Sequence, residues 1–107
     1  MDSSEYVRRV LDAYRATPGT CGVARQPDRV FALQLFVRGV PLAVVENAFV
    51  LACARRLARP ADATPLGAIR SLAYFSPVID EALELRVSDA YFQHLRQRLS
   101  RILHQPL

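Results

Sequence analysis

An all-α fold is predicted for this 107-residue sequence by three observations. Pro27, Pro41, Pro65 and Pro77 each precede an apolar, helix-favouring run. Proline suits a first helical turn, where its missing N–H has no partner in any case. Apolar residues recur at the 3.6-residue spacing of a helix, and no useful length alternates with the period of two that marks a strand. The expected architecture is a compact single domain over residues 1–107, with five or six helices around a central helical hairpin.

The first helix is expected from Ser4 to Ala16. Asp2-Ser3-Ser4-Glu5 resembles a capping box in which Glu5 reaches back toward Asp2. Val7, Val10, Leu11 and Tyr14 share one face. Arg8, Arg9, Asp12 and Arg15 share the other. Thr17-Pro18-Gly19 ends the helix and opens a loop over residues 17–26.

The second helix is expected from Pro27 to Gly39, which suits the left-handed C-terminal position. Val30, Leu33 and Val37 form its stripe, and Phe31, Ala32, Leu35 and Phe36 leave few polar positions. The third is expected from Pro41 to Ala58. Leu42, Val45, Phe49, Ala52 and Cys53 share one face, with Val44, Ala48 and Leu51 on a second. A helix apolar on most sides is usually buried. The second and third helices, joined by Arg38-Gly39-Val40-Pro41, form the expected hairpin.

A fourth helix is expected from Pro65 to Phe75, carrying Leu66, Ile69, Leu72 and Ala73. Pro77 breaks the pattern, since an internal proline removes a hydrogen bond. A short helix then runs from Pro77 to Leu85. Its Asp80, Glu81 and Glu84 lie near the start, where the dipole favours negative charge. Ser88 caps a last helix from Asp89 to His104, with Phe92, Leu95, Leu99, Ile102 and Leu103 as its stripe.

The composition, 51% apolar and 22% charged, fits a globule and argues against disorder. A chain of this size can fold without metal or disulfide. Cys21 and Cys53 have no zinc-ligand spacing. No apolar run reaches the ~18 residues of a membrane span, and the acidic, polar start does not resemble a signal peptide. A reduced, cytoplasmic protein is expected.

Catalysis finds little support. His94 and His104 are separated by about 1000° of helical rotation and lie on different faces. Asp80, Glu81 and Glu84 have no His partner for a metal, and the glycines match no phosphate loop. The chain is expected to be no enzyme, with no cofactor and no metal.

The net charge is +4, and all 14 basic residues are Arg. Two readings stand for the missing lysine: coding bias, or phosphate binding through guanidinium forks. Arg55, Arg56 and Arg59 crowd the end of the third helix, and Arg96, Arg98 and Arg101 line the last. Arg70 adds charge, and Tyr74 one turn later can stack a base or fill a helix seam. These seven arginines are the candidate nucleic-acid contacts. The Gly39 link also has a helix-turn-helix look, with Ala43, Glu46, Asn47, Val50 and Ala54 as the outward strip of the second member. That strip offers few of the side chains that read bases.

Arg38-Gly39-Val40-Pro41-Leu42-Ala43-Val44-Val45-Glu46-Asn47-Ala48, followed by Ile69-Arg70-Ser71-Leu72-Ala73-Tyr74-Phe75-Ser76-Pro77-Val78-Ile79, resembles the C-terminal helical domain of DnaD-type primosomal proteins. The likeness spans roughly residues 29–85. It implies a helical module that binds DNA and helps load replication machinery. The leading expectation is a non-enzymatic nucleic-acid-binding accessory protein of replication or a mobile element, contacting mainly phosphates, with a replication protein as a further partner. The alternative is an interaction adaptor or homodimer, with Val50, Leu57 and Leu85 as exposed apolar contacts.

Overall fold

Asp2 starts the first helix by accepting the backbone N–H of Glu5 at 2.8 Å. This cap sets α1 at Ser3–Ala16. The Glu5 carboxylate does not reach back; it lies 3.5 Å from Arg9 one turn ahead. The computed structural model describes residues 1–85 and 89–103. It contains five α-helices: α1, α2 (Gln26–Val37), α3 (Leu42–Leu57), α4 (Ser76–Leu85) and α5 (Asp89–Leu103). A 3₁₀ turn, Leu72–Phe75, leads into α4. The radius of gyration is 13.6 Å, close to the ~13 Å of a compact 100-residue domain. The expected Ser88 cap and His104 helix end lie outside the described residues.

The buried face of α1 is Tyr6, Val10, Leu11 and Tyr14, with Val7 at its margin. Tyr6 enters the core because its hydroxyl is satisfied there, donating to Val40 O at 2.7 Å. Tyr14 is fully buried and its hydroxyl makes no hydrogen bond. Burial, with Cys21 and Asp28 nearby, pushes its pKa up to about 12.

The second helix turns a different face inward than its spacing suggested. Ala32 and Leu35 are buried, while Val30, Leu33 and Val37 are 46%, 45% and 78% exposed. The helix is apolar nearly all round, so tertiary contacts choose the face. They choose the side of Asp28, which is buried at the helix start and accepts N–H groups from both Arg25 and Leu72. Gly39 takes φ +76° at the end of α2, and the tight link to α3 forms as expected. The two helices then pack mainly on other neighbours: α2 on α1 and the 3₁₀ turn, α3 on α4, α1 and α5.

The helix expected at Pro65–Phe75 is not formed; only Leu72–Phe75 turns, as 3₁₀. Ile69 is held instead by the loop after α1. Its N–H donates to Gly19 O at 2.7 Å, and its carbonyl accepts from Cys21 N at 2.9 Å. Those bonds replace the helical ones, and Ile69 and Leu72 still reach the core.

The main core joins α1, α2, α3, the 3₁₀ turn and α4, with Phe49 and Phe75 edge-to-face at 4.8 Å. A smaller cluster of Val50, Cys53, Phe92 and Leu99 fastens α5 to α3. Burial raises the pKa of the Cys53 thiol. Both cysteines are free. Ile102, expected in the α5 stripe, is 56% exposed.

Candidate nucleic-acid interface

The α5 helix decides what α3 can present. It covers Asn47 and Val50, two of the five residues of the strip that a helix-turn-helix would offer to a major groove. Val50, expected as an exposed contact, is 6% exposed for the same reason. Leu57 and Leu85 do face solvent, at 44% and 51%. Arg96 reaches over α3 and donates to Asn47 Oδ1 at 3.2 Å. It also lines a groove of about 330 Å³ with Glu46, Phe49, Val50 and Gln93. Arg96 thus spends part of its donor capacity on holding α5 in place.

Arg55 is committed to α4. Its guanidinium grips the Glu81 carboxylate through both oxygens. That bond raises the Arg55 pKa and lowers that of Glu81. Asp80 likewise pairs with Arg38 at 3.2 Å. Two of the three acidic residues of α4, Asp80 and Glu81, therefore bridge to neighbouring elements, while Glu84 stays exposed.

Arg56 and Arg59 are differently placed. Arg56 Nη2 donates to Gly67 O at 2.8 Å, and Nη1 to the Tyr74 hydroxyl at 3.4 Å. Its guanidinium lies 6.0 Å from the Tyr74 ring centroid. It also crosses Gly19, where an added Cβ would meet its Nε at 3.3 Å. Arg59 Nη2 donates to Thr64 O at 2.8 Å. Both arginines staple the 60–70 segment to the end of α3 through carbonyl oxygens, which leave the cationic charge uncompensated. Arg55, Arg56 and Arg59 line an open pocket of about 370 Å³ with Leu66, Tyr74 and Val78.

Arg98 and Arg101 are exposed on α5 and line a shallow surface with His94 and Ile102. Arg70 is exposed beside the anchored Ile69. None of these three arginines has an ion-pair partner among the described residues. Tyr91 sits close enough to Arg55 to influence it, and Arg96 reaches Asn47. So α5 runs antiparallel to α3, and its outer arginines lie toward the opposite end from Arg55. The structure groups the candidates into two separate patches, not one.

The cation pocket was only partly visible in sequence. Leu66 and Val78 line it and carry no chemical signature of their own. Among the described residues, no three His, Cys, Asp or Glu converge on a metal position, and no helix is long and apolar enough to cross a membrane. Comparison with protein-family models, curated proteins and solved structures finds no match to this chain.

Proposed function

We propose that this chain is a non-enzymatic nucleic-acid-binding accessory domain that neutralises phosphates with arginine. One observation carries the reading. Glu5, Asp12, Asp80 and Glu81 pair with Arg8, Arg9, Arg15, Arg38 and Arg55. Of the seven candidate arginines only Arg55 has a carboxylate partner among the described residues; Arg56, Arg59, Arg70, Arg96, Arg98 and Arg101 form no ion pair there. Guanidinium forks match phosphate oxygens, and such contacts position a protein without reading sequence. With Asn47 and Val50 covered, base reading by α3 in a major groove has no support. The likeness to DnaD-type domains favours DNA and a role beside replication machinery or in a mobile element, in the cytoplasm.

Fluorescence anisotropy with labelled oligonucleotides tests this. Two phosphate contacts on duplex DNA imply roughly a tenfold loss of affinity between 50 and 200 mM salt. Absence of binding at ~50 mM salt refutes the proposal.

A second reading rests on α2. Val30, Leu33 and Val37 make one exposed apolar stripe, a surface suited to a partner helix or a second copy. Sedimentation analysis at high salt separates the two, because apolar association persists where phosphate binding fades.

A further inference from the structure

We infer that the pocket at the end of α3 holds an unpaired nucleobase against Tyr74, so that the chain prefers single-stranded nucleic acid to duplex. The inference rests on the phosphate-binding reading above and narrows it to a substrate class.

The pocket combines two chemistries that are useful together. Tyr74 is 46% exposed although its ring packs edge-to-face on the buried Phe75 at 5.2 Å. That contact, and the bond from Arg56 to its hydroxyl, fix the ring, and the guanidinium 6.0 Å from its centroid leaves Tyr74 partly open to solvent. Leu66 and Val78 supply apolar wall, and Arg56 and Arg59 supply charge with no ion-pair partner among the described residues. The volume of about 370 Å³ falls in the range of small-molecule sites, about 300–1,000 Å³. Aromatic faces beside a cationic track are how single strands are held, since every base has a π-face. A guanidinium adds to such a stack. In a duplex the same faces are buried against neighbouring base pairs, so Tyr74 can reach them only in an unpaired strand.

The test uses the whole chain and three labelled probes of equal length: a single-stranded DNA oligonucleotide, the same strand with abasic sites, and a duplex. The wild type is expected to bind the intact strand about 5- to 150-fold more tightly than the abasic one, the range for stacking one base. Tyr74→Ala should erase that difference, and Tyr74→Phe should keep it. A thermal melt of each variant confirms folding. Equal affinity for all three probes, with the expected salt dependence, overturns the inference and leaves phosphate binding intact. So does an unchanged base preference in Tyr74→Ala. Failure of all three probes to bind overturns both readings. Displacement of the strand by a free mononucleotide at equimolar concentration assigns the pocket to nucleotides and overturns the single-strand preference.

Discussion

Asp28 Oδ1 accepts the backbone N–H of Leu72 at 2.9 Å, across 44 residues of sequence and inside the core. Its Oδ2 accepts the N–H of Arg25 at 2.8 Å, as a residue in the first turn of a helix can. One carboxylate therefore caps α2 and fixes the start of the 3₁₀ turn. The face of α2 that carries Asp28 must then turn inward, which leaves Val30, Leu33 and Val37 outside.

Asp28→Ala is expected to cost about 2–4 kcal/mol, the sum of a lost cap and a buried N–H left without an acceptor. Asp28→Asn keeps one oxygen but offers an amide donor to the other N–H, so its cost should fall between wild type and Ala. Urea unfolding measures both. An Ala variant as stable as wild type would show that water satisfies Leu72 N.

The two buried tyrosines should respond oppositely to loss of the hydroxyl. Tyr6→Phe removes the bond to Val40 O and is expected to cost about 0.5–1.5 kcal/mol. Tyr14→Phe removes a buried hydroxyl that has no bond, so stability should hold or rise. The Tyr14 pKa, about 12 against 10.0 unfolded, adds a pH signature. The neutral phenol's contribution is complete below pH 10.0 and is lost as pH rises toward 12. Alkaline titration of stability should therefore be flatter in Tyr14→Phe than in wild type.

The Arg55–Glu81 pair predicts an acid-side effect of the opposite sense. Glu81 titrates below its ordinary 4.5, because Arg55 holds the carboxylate charged. Its stabilising contribution is full above 4.5 and disappears as pH falls through the lowered value. Glu81→Gln should melt below wild type at pH 7, and the gap should close in acid. The pair is exposed, so the gap should also shrink in high salt. A gap independent of pH would assign the effect to packing of the side chain.

What the sequence made legible follows from what periodicity can carry. Spacing identified α1, α3, α4 and α5, because each has an apolar set with a helical period. On α2 it failed to choose a face, since Ala32 and Leu35 look no more buried than Val30 and Leu33. The 65–71 segment has helical spacing too. Its backbone is instead taken by Gly19 and Cys21, a distant pairing that local pattern does not encode. Cover by α5 explains the misplacement of Val50. At the site, each arginine was visible singly. Their division into two patches, and the meeting of Arg56 with Tyr74, depend on where the 60–70 segment returns to α3.

The α5 patch gives the last prediction. Arg98 and Arg101 are exposed, have no ion-pair partner among the described residues, and lie off the Phe92–Leu99 seam that holds α5 on α3. Replacing both with Gln keeps helix propensity, and exposed substitutions usually cost within about 0.5 kcal/mol, so the melt should be unchanged. If the two arginines contact phosphates of duplex DNA, the double variant binds more weakly, and its salt slope falls by up to about two. The ten residues from Tyr91, beside Arg55, to Arg101 rise about 15 Å along α5. The double variant should therefore leave the Tyr74 pocket alone, and the preference for an intact strand over an abasic one should survive. Wild-type affinity and slope in the double variant would confine phosphate binding to Arg56, Arg59 and their neighbours at the end of α3. A lost base preference would instead show that the two patches act as one surface, against the antiparallel placement of α5.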